Sequence, residues 1–220
     1  MKTFTEENYL KALYYLSAES GEVGTFELSK HLQIKMPTVT SMMKKFAEKN
    51  WVIYESYKPI RLTQKGREEA ALIIRKHRLT ELFLVEKMGI SWHEVHDIAE
   101  QIEHINSSLF FEKMDELLGF PKFDPHGSPI PDKTGSIERK EYLKLSECKA
   151  GERVKLTAVI NSSDDFLKFL NQKEIALGIE INILEKESFD NSMLISYQNK
   201  TGEYISSPVS EKLMVERLNL

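Results

Sequence analysis

The chain has 220 residues, of which 41% are hydrophobic and 29% are charged, and its formal net charge at pH 7 is −4. That length allows one large domain or two to three small ones. No apolar run approaches the roughly 18 residues that a membrane span requires. The single cysteine, Cys148, excludes an intramolecular disulfide. Together with a polar amino terminus that lacks a signal-peptide pattern, these features predict a cytoplasmic protein that does not contact membranes.

The charge is divided unevenly along the chain. Residues 1–78 contain 14 Lys/Arg against 9 Glu and no Asp, a net of +5, whereas the remainder contains 16 Lys/Arg against 25 Asp/Glu, a net of −9. An excess of positive charge in one segment is typical of a domain that contacts phosphates. The first third of the chain is therefore the part expected to bind nucleic acid.

The first third also has the element order of a winged helix-turn-helix. Apolar periodicity predicts a helix that opens at Thr5, and a short helix follows over about 26–31. Pro37 is tolerated in the first turn of a third helix, 37–49. Two short strands, 51–54 and 60–62, predict a hairpin behind it. This order favours DNA binding, although helix-turn-helix triplets also occur in domains that do not bind DNA.

The rest of the chain predicts a helical block followed by a β domain. One long helix is expected over 63–88 and two more over 90–106 and 107–118, which would form a natural platform for a two-fold dimer. Residues 121–135 hold four prolines and two glycines and predict a linker or an ordered loop. After this loop the pattern changes to period two and predicts a small antiparallel β-barrel of about 75 residues. Its expected strands are 154–160, 179–184, 193–197 and 213–218, with a short helix over 163–171.

The residues with the clearest chemistry are Glu100, Glu103 and His104, which helical spacing would place on one face. His77 and Glu81 form a second pair at i and i+4. Carboxylate oxygen and imidazole nitrogen suit Mn²⁺, Fe²⁺, Co²⁺ or Zn²⁺ and not Cu(I). The alternative is a solvated acidic helix face with a chance histidine.

A hydrolytic zinc site is a poor match to this sequence. In His93-Glu94-Val95-His96 the second histidine comes one position too early for the His-Glu-x-x-His motif, and Glu100 stands where the inverted motif requires histidine. The sequence also lacks a phosphate-binding glycine loop and a nucleophilic serine elbow. We therefore expect no enzymatic activity and no organic small-molecule substrate. His96, one turn before Glu100, could join either set of metal ligands.

Several short stretches carry a resemblance to a known family. They are Thr5-Glu6-Glu7-Asn8-Tyr9-Leu10, Pro37-Thr38-Val39-Thr40, Leu62-Thr63-Gln64-Lys65-Gly66, Arg75-Lys76-His77-Arg78-Leu79, Val95-His96-Asp97, Glu103-His104 and Pro129-Ile130-Pro131. In this order they resemble the DtxR/MntR family of metal-dependent transcriptional repressors. The resemblance covers about residues 3–140 strongly and the C-terminal barrel more loosely, as a FeoA-like domain of the Src-homology-3-like class.

The resemblance implies a mainly α protein with a smaller β domain that acts as a homodimer on double-stranded operator DNA. The implied domains are a winged helix-turn-helix over 1–66, a helical dimerisation and metal-binding domain over 67–140, and a FeoA-like barrel over 141–220. Metal binding would select a spacing of the two recognition helices that fits the operator. The genes it controls would serve metal uptake and homeostasis.

The family also implies two metal sites per subunit, for Mn²⁺ or Fe²⁺, with Zn²⁺, Co²⁺ or Ni²⁺ as possible substitutes. The first site would use Asn8, Glu100, Glu103 and His104. Relatives commonly carry Asp or Met at the position of Asn8, and iron-responsive members can carry Cys at that of Glu100. An oxygen donor at Glu100 favours Mn²⁺ without excluding Fe²⁺. Lys11 stands where relatives with closely paired ions carry Glu, so we expect a single ion here.

The second site implied by the resemblance would use His77 and Glu81. Its other ligands stay open, because the chain contains two variants of the family pattern. In one variant the helix expected over 90–106 supplies a histidine. In the other a Cys-Pro-His-Gly loop supplies ligands, here with Asp in place of Cys. The family also draws one ligand from the barrel. The candidates are His96, Asp124, His126, Asn161 and Asp164.

Helix 37–49 is expected to enter the major groove. The candidate contacts are Thr38, Thr40 and Ser41 to bases or phosphates, and Lys44 and the wing residue Lys58 to phosphates. Few of these side chains make bidentate base contacts, so DNA shape would supply part of the specificity. Two other functions stay open: a metal-independent winged-helix regulator, and a metalloenzyme or metal-storage protein with a relic helix-turn-helix.

Overall fold

The computed structural model describes residues 2–137, 142–160 and 163–218. The chain forms two compact units. The first contains the chain up to Thr80, Ala99–Lys122 and the segment from Ile130, and the second contains Glu81–Ile98, Phe123–Pro129 and the C-terminal part. The long helix α4, Gln64–Met88, belongs to both because the boundary falls after Thr80.

The first unit begins with the predicted winged helix-turn-helix. Its elements are α1 (Phe4–Leu16), α2 (Thr25–His31), α3 (Met36–Glu48) and an antiparallel hairpin of β1 (Val52–Ile53) and β2 (Arg61–Leu62). The N-terminal cap of α1 is Thr3, not Thr5 as expected. The side chain of Thr3 accepts a hydrogen bond from the amide of Glu6, and the side chain of Glu6 accepts one from the amide of Thr3, which forms a capping box. The apolar sides of the three helices meet in one core, which includes Leu10, Leu13, Leu28, Val39, Met43 and Phe46.

Helix α4 starts in close contact with this core. A Cβ built on Gly66 would lie 1.9 Å from the carbonyl oxygen of Trp51, so no other residue fits without a backbone shift. Further along α4, the guanidinium of Arg75 donates to Asp115 and to the carbonyl of Pro131, each at 2.6 Å. These bonds attach the proline-rich loop and the helix that carries Asp115 to α4.

The helix expected over 90–106 is much shorter than predicted. Gly89, with φ of +69°, ends α4, and the amide of Glu94 donates to the carbonyl of Ser91 in a turn. Helix α5 spans only His96–Ile102, so Glu103 and His104 lie in the turn after it rather than on its face. Helix α6, Ser108–Leu117, follows with Ser107 as its cap.

The second unit contains a six-stranded antiparallel sheet in the order β3-β8-β4-β5-β6-β7. The strands are β3 (Leu143–Lys144), β4 (Arg153–Val159), β5 (Glu180–Lys186), β6 (Met193–Tyr197), β7 (Lys200–Ile205) and β8 (Leu213–Arg217); the helices are α7 (Asp164–Lys173) and α8 (Ser207–Ser210). Strands β3 and β7 were not predicted, because β3 has two residues and β7 is polar with Gly202 inside it. Alternate residues such as Val154, Leu156, Ile181 and Ile183 form the core.

Two five-residue loops in the proline-rich region share one geometry. In Asp124–Ser128 and in Asp132–Ser136, Oδ1 of the first residue accepts hydrogen bonds from the backbone amides of the third and fifth residues at 2.8–2.9 Å. The glycine at the fourth position has φ of +84° in one loop and +83° in the other. The region is therefore ordered by repeated aspartate turns and is not a flexible linker.

Candidate metal centres and DNA-binding surface

The first cluster of candidate ligands centres on the fully buried carboxylate of Glu103. Its Oε2 lies 2.6 Å from Nδ1 of His77, and both of its oxygens accept hydrogen bonds from Nζ of Lys11 at 2.8 Å. Lys11 also pairs with Glu100. Burial raises the pKa of Glu103, but the hydrogen bond from His77 and the charge of Lys11 outweigh it and leave the pKa below its usual value. Glu103 is therefore an ionised, preorganised ligand candidate.

His104 is oriented by a residue that the sequence did not single out. Its Nδ1 lies 2.6 Å from Oε2 of Glu7, and since an ionised carboxylate only accepts, Nδ1 carries the proton. The other ring nitrogen, Nε2, is buried, has no hydrogen-bond partner among the described residues and lies 3.6 Å from Oε1 of Glu103. A histidine that donates one N–H to a carboxylate and presents its other nitrogen is the usual arrangement of a metal ligand.

Asn8 presents a second buried acceptor in this unit. Its Oδ1 has no hydrogen-bond partner among the described residues, which is costly for a buried amide oxygen. The residues expected at the first site therefore fit a divalent cation: two carboxylates, one imidazole nitrogen and one amide oxygen, of which the last two lack partners. Glu7 and Lys11, one and three positions from Asn8 on α1, give the site its outer contacts.

The second cluster, in the second unit, joins Glu81, Asp124 and His126. All three are buried, and each offers one ligand atom within 4.8 Å of the others. Nδ1 of His126 lies 3.7 Å from Oε2 of Glu81, and Nε2 donates to the carbonyl of Trp92 at 3.0 Å. Burial lowers the pKa of His126, but the nearby carboxylate of Glu81, the charge of Asp124 and the hydrogen bond to the Trp92 carbonyl outweigh it and raise the pKa. Two carboxylates and one imidazole again suit Mn²⁺ or Fe²⁺.

The remaining candidates for the second site differ in their positions. Nδ1 of His96 lies 3.3 Å from Oε1 of Glu81, but its side chain is 55% exposed. Asp164 is exposed in the first turn of α7, outside every candidate metal group among residues 2–137, 142–160 and 163–218. Asn161 lies outside the described residues. The assignment of His77 and Glu81 to one site stays a prediction, since His77 contacts Glu103 in the first cluster.

The expected DNA contacts lie on an accessible face of the winged helix. Thr38, Ser41 and Lys44 of α3 are exposed and Thr40 is half-buried, whereas the opposite side of α3 packs into the core. Lys58 is exposed at the hairpin, where it pairs with Glu55 at 2.5 Å. Thr40, Tyr57 and Lys58 are among the residues that line a cavity of about 400 Å³. The basic side chains of α3 and the wing are thus presented to solvent together.

Cys148, the single cysteine of the sequence, is buried. Burial raises the pKa of Cys148 to about 11, so its thiol stays protonated and unreactive at neutral pH. None of the described helices combines the length and the apolar composition of a membrane span. The winged helix-turn-helix is a fold of DNA-binding proteins, and each of the two clusters offers side chains of the types that bind transition-metal ions.

Comparison with known proteins identifies the family. Three family models match consecutive parts of the chain: the iron-dependent repressor N-terminal DNA-binding domain over 1–60, the iron-dependent repressor metal-binding and dimerisation domain over 63–132, and the FeoA domain over 143–217. The iron-dependent repressor IdeR of Mycobacterium leprae is 32% identical over 157 residues, 68% of each chain. The diphtheria toxin repressor of Corynebacterium glutamicum is 25% identical over 97% of this chain and 96% of its own.

Solved structures give the same result. A manganese-dependent transcriptional repressor in complex with manganese has a TM-score of 0.85 and 29% identity, over 96% of this chain and 99% of its own. The repressor ScaR with bound Zn²⁺ has a TM-score of 0.79 and 31% identity over the same shares. The chain belongs to the DtxR/MntR family of metal-dependent repressors. It is a DNA-binding transcriptional repressor with a metal-binding and dimerisation domain and a FeoA domain of the Src-homology-3-like class, and it is not an enzyme.

Proposed function

We propose that this repressor is a cytoplasmic homodimer activated by Mn²⁺ or Fe²⁺ that represses genes of metal uptake. The observation that carries this proposal is a pair of buried acceptors in the first unit, Oδ1 of Asn8 and Nε2 of His104, to which none of the described residues donates a hydrogen bond. Asn8 lies on α1 of the winged helix, and His104 follows α5 of the metal-binding domain. The proposed organisation is DNA-binding over 1–66, dimerisation and metal binding over 67–140, and the FeoA domain over 141–220.

The first site would be formed by Asn8, Glu100, Glu103 and His104. A bound divalent cation would give Oδ1 of Asn8 and Nε2 of His104 the partner that neither has among the described residues. Asn8 would then hold α1 against the turn after α5, and Glu7 would hold the His104 ring in its ligating tautomer. A fixed α1 fixes α3, because both helices share one core through Leu10, Val39 and Phe46. The two recognition helices of a dimer would thereby take the spacing of the operator half-sites.

The donor set favours manganese over softer ions. Oxygen atoms provide most of the candidate ligands, and the chain has Glu100 where iron-responsive relatives can have a thiolate. Manganese-dependent repressors are among the solved structures similar to this chain, and iron-dependent repressors are among its curated relatives. We therefore propose Mn²⁺ as the stronger activator and Fe²⁺ as the competing one.

The second site would use Glu81, Asp124 and His126, with His96 at its exposed edge. The three buried residues form one cluster, and the aspartate turn holds His126 in place because Oδ1 of Asp124 accepts the His126 amide at 2.8 Å. A carboxylate has two oxygens, so a turn role through Oδ1 is compatible with ligation through Oδ2. The loop accordingly offers one carboxylate and one imidazole, as the loop variant of the family pattern implies.

The proposed dimer contact involves the exposed apolar face of α6. Leu109 and Leu117 are 62% and 64% exposed, and Phe110 and Phe120 are exposed beside them. An apolar stripe of this kind on a domain that dimerises is suited to a two-fold, self-complementary interface. The dimer would place two copies of α3 on a palindromic operator, where Thr38, Thr40 and Ser41 contact bases or phosphates and Lys44 and Lys58 contact phosphates.

The experiment that tests this function measures retention of fragmented genomic DNA by metal-stripped protein, at near-physiological salt, with chelator, Mn²⁺ or anaerobic Fe²⁺. Capture of a few discrete fragments only with metal is expected. His104→Gln should abolish the metal response, whereas Glu112→Gln, an exposed carboxylate on α6, should not. Equal capture in chelator and in metal would leave a DNA-binding protein and refute the metal switch.

A further inference from the structure

Trp92, in the segment between α4 and α5, contacts the second metal cluster and the β domain at the same time. Its indole ring stacks on the imidazole of His126, with ring centroids 5.7 Å apart and planes inclined by 21°. Its carbonyl accepts the hydrogen bond from Nε2 of His126 at 3.0 Å. One residue therefore sets both the plane and the protonated nitrogen of this imidazole.

The geometry of that contact determines which nitrogen faces the carboxylates. Because the carbonyl of Trp92 can only accept, Nε2 of His126 carries a proton. Nδ1 is then the atom directed at Oε2 of Glu81, 3.7 Å away. Partners of this kind, which bind the second nitrogen of a ligating histidine, fix its tautomer and raise its basicity as a ligand.

The opposite side of Trp92 is held by helix α7. Nε1 of the indole donates to Oδ1 of Asn171 at 2.8 Å, and the indole packs against the core of the β domain. Asn171 also donates to Nδ1 of His93 at 3.3 Å, so it contacts the segment at two adjacent residues. Helix α7 is itself anchored by Leu167 and Leu170, which are buried in that core.

The β domain also holds the backbone of the histidine loop. The amide of Val159 on β4 donates to the carbonyl of His126 at 2.8 Å. A Cβ on Gly127 would lie 2.2 Å from the carbonyl oxygen of Thr157, so the loop approaches β4 as closely as a glycine allows. The main chain of the loop is fixed by β4, which leaves the orientation of the imidazole to Trp92.

We propose that Trp92 is a positioning residue through which helix α7 of the FeoA domain orients His126 for the second metal site. The proposal rests on the second site of the proposed function and assigns the FeoA domain a part in it. The hydrogen bond from Trp92 to Asn171 holds the indole in place. The indole ring and the main-chain carbonyl of Trp92 then orient the imidazole of His126, so that its Nδ1 faces Glu81. This role is separate from any ligand that the FeoA domain itself contributes.

The test compares variants that remove either the donor or the acceptor of the hydrogen bond between Trp92 and Asn171. Trp92→Phe keeps a stacking ring and the carbonyl but removes the donor to Asn171, and Asn171→Ala removes the acceptor. Asn182→Ala, which removes an amide that donates to Ser196 at 3.4 Å elsewhere in the same domain, is the matched control. Full-length protein is titrated with Mn²⁺ by calorimetry and with Co²⁺ by visible absorption, and His126→Gln identifies the binding phase of the second site.

Trp92→Phe and Asn171→Ala are each expected to weaken metal affinity at the second site about 10-fold and to change the Co²⁺ absorption bands of that site. Metal binding at the first site should stay as in wild type. Asn182→Ala should change neither. Wild-type affinity and spectra in both linked variants, or an equal loss in the control, would overturn the proposal. A wild-type titration with no phase that is lost in His126→Gln would refute the second site itself, and the positioning role with it.

Discussion

Glu7 and His104, 97 positions apart in the chain, are joined by a 2.6 Å hydrogen bond between Oε2 and Nδ1. The bond connects the first turn of α1 to the turn after α5, and Nε2 of His104 is left buried with no hydrogen-bond partner in the part of the chain that the structure describes. In the proposed first site, Glu7 would therefore orient a ligand without being one itself.

Replacing Glu7 should weaken the first site without removing a ligand. In Glu7→Gln the amide can still accept from Nδ1 but no longer offers a negative charge, so the His104 ring becomes a weaker ligand. We expect Mn²⁺ affinity at the first site to fall about 10-fold, measured by calorimetry. Glu112→Gln serves as the control, and an unchanged affinity in Glu7→Gln would contradict this role.

Lys11 should limit the first site to one ion. Its ammonium binds both oxygens of Glu103 at 2.8 Å and pairs with Glu100, where a second cation would need the same carboxylates. Lys11→Glu replaces a positive charge by a further ligand and is expected to add one Mn²⁺ per chain, counted by elemental analysis after gel filtration. Lys11→Met, which removes the charge without adding a ligand, should leave the count unchanged. An unchanged count in Lys11→Glu would show that other residues set the stoichiometry.

Metal binding at the second site should depend steeply on pH. The pKa of His126 is raised in the metal-free protein: burial opposes the charge, but Glu81 and Asp124 favour it more strongly. As the pH falls through that raised pKa, a proton occupies the nitrogen that a metal needs, so Mn²⁺ affinity should fall with it. Calorimetry in buffers of different ionisation enthalpy would measure the released proton. The absence of proton release at pH 6 in wild type, or equal release in His126→Gln, would contradict the assignment.

Lys44 should contribute to DNA binding through phosphate and not through base recognition. Lys44→Ala is expected to weaken binding to all sequences about equally and to reduce the slope of log affinity against log salt by about 1. Thr40→Ala should instead alter the preference among sequences. Lys168→Ala, an exposed lysine on α7 in the other unit, is the control for general charge effects. Fluorescence anisotropy at several salt concentrations would distinguish these outcomes.

Gly66 explains one stretch of the family resemblance in structural terms. Any side chain there would collide with the Trp51 carbonyl, at 1.9 Å for a Cβ. Gly66→Ala should therefore lower the free energy of unfolding by about 3 kcal/mol, measured by urea titration with tryptophan fluorescence. Gly24→Ala, where the nearest atom is 3.8 Å away, should cost about 1 kcal/mol or less. Equal effects of the two substitutions would contradict the steric explanation.

Local patterns in the sequence predicted most of the helices, because their information lies within a few turns. Apolar periodicity located the start of α1 and both ends of α3 and α4 to within one residue of the observed positions. It failed over 90–106, because the left-handed Gly89 and the turn at Ser91 interrupt a segment whose composition is otherwise helical. It also missed β7, whose pairing with β6 stabilises a polar strand that has no apolar alternation of its own.

The candidate site was predictable in its ligand types but not in its partners. Glu100, Glu103 and His104 were visible as a cluster from their spacing, although two of them lie in a turn and not on the helix face. The contacts of Glu7 with His104 and of Lys11 with Glu103 join residues 97 and 92 positions apart, and no local pattern encodes them. From the sequence, Glu7 can be recognised only as an acidic residue in the first turn of a helix, a position where an acidic side chain stabilises any helix.

The two aspartate turns have the same backbone geometry but different residues at the third position. Asp132–Ser136 has the same hydrogen bonds and the same left-handed glycine as Asp124–Ser128, yet its third position is Thr134 instead of His126. The turn therefore forms with either histidine or threonine at its third position, and Thr134 adds a hydrogen bond from Oγ1 to Oδ1 of Asp132 at 2.7 Å. If His126 is a ligand of the proposed second site, a single substitution at position 126 would exchange the donor atom while the turn still forms. Selectivity among ions could then change over evolution, or by design, at little cost in folding.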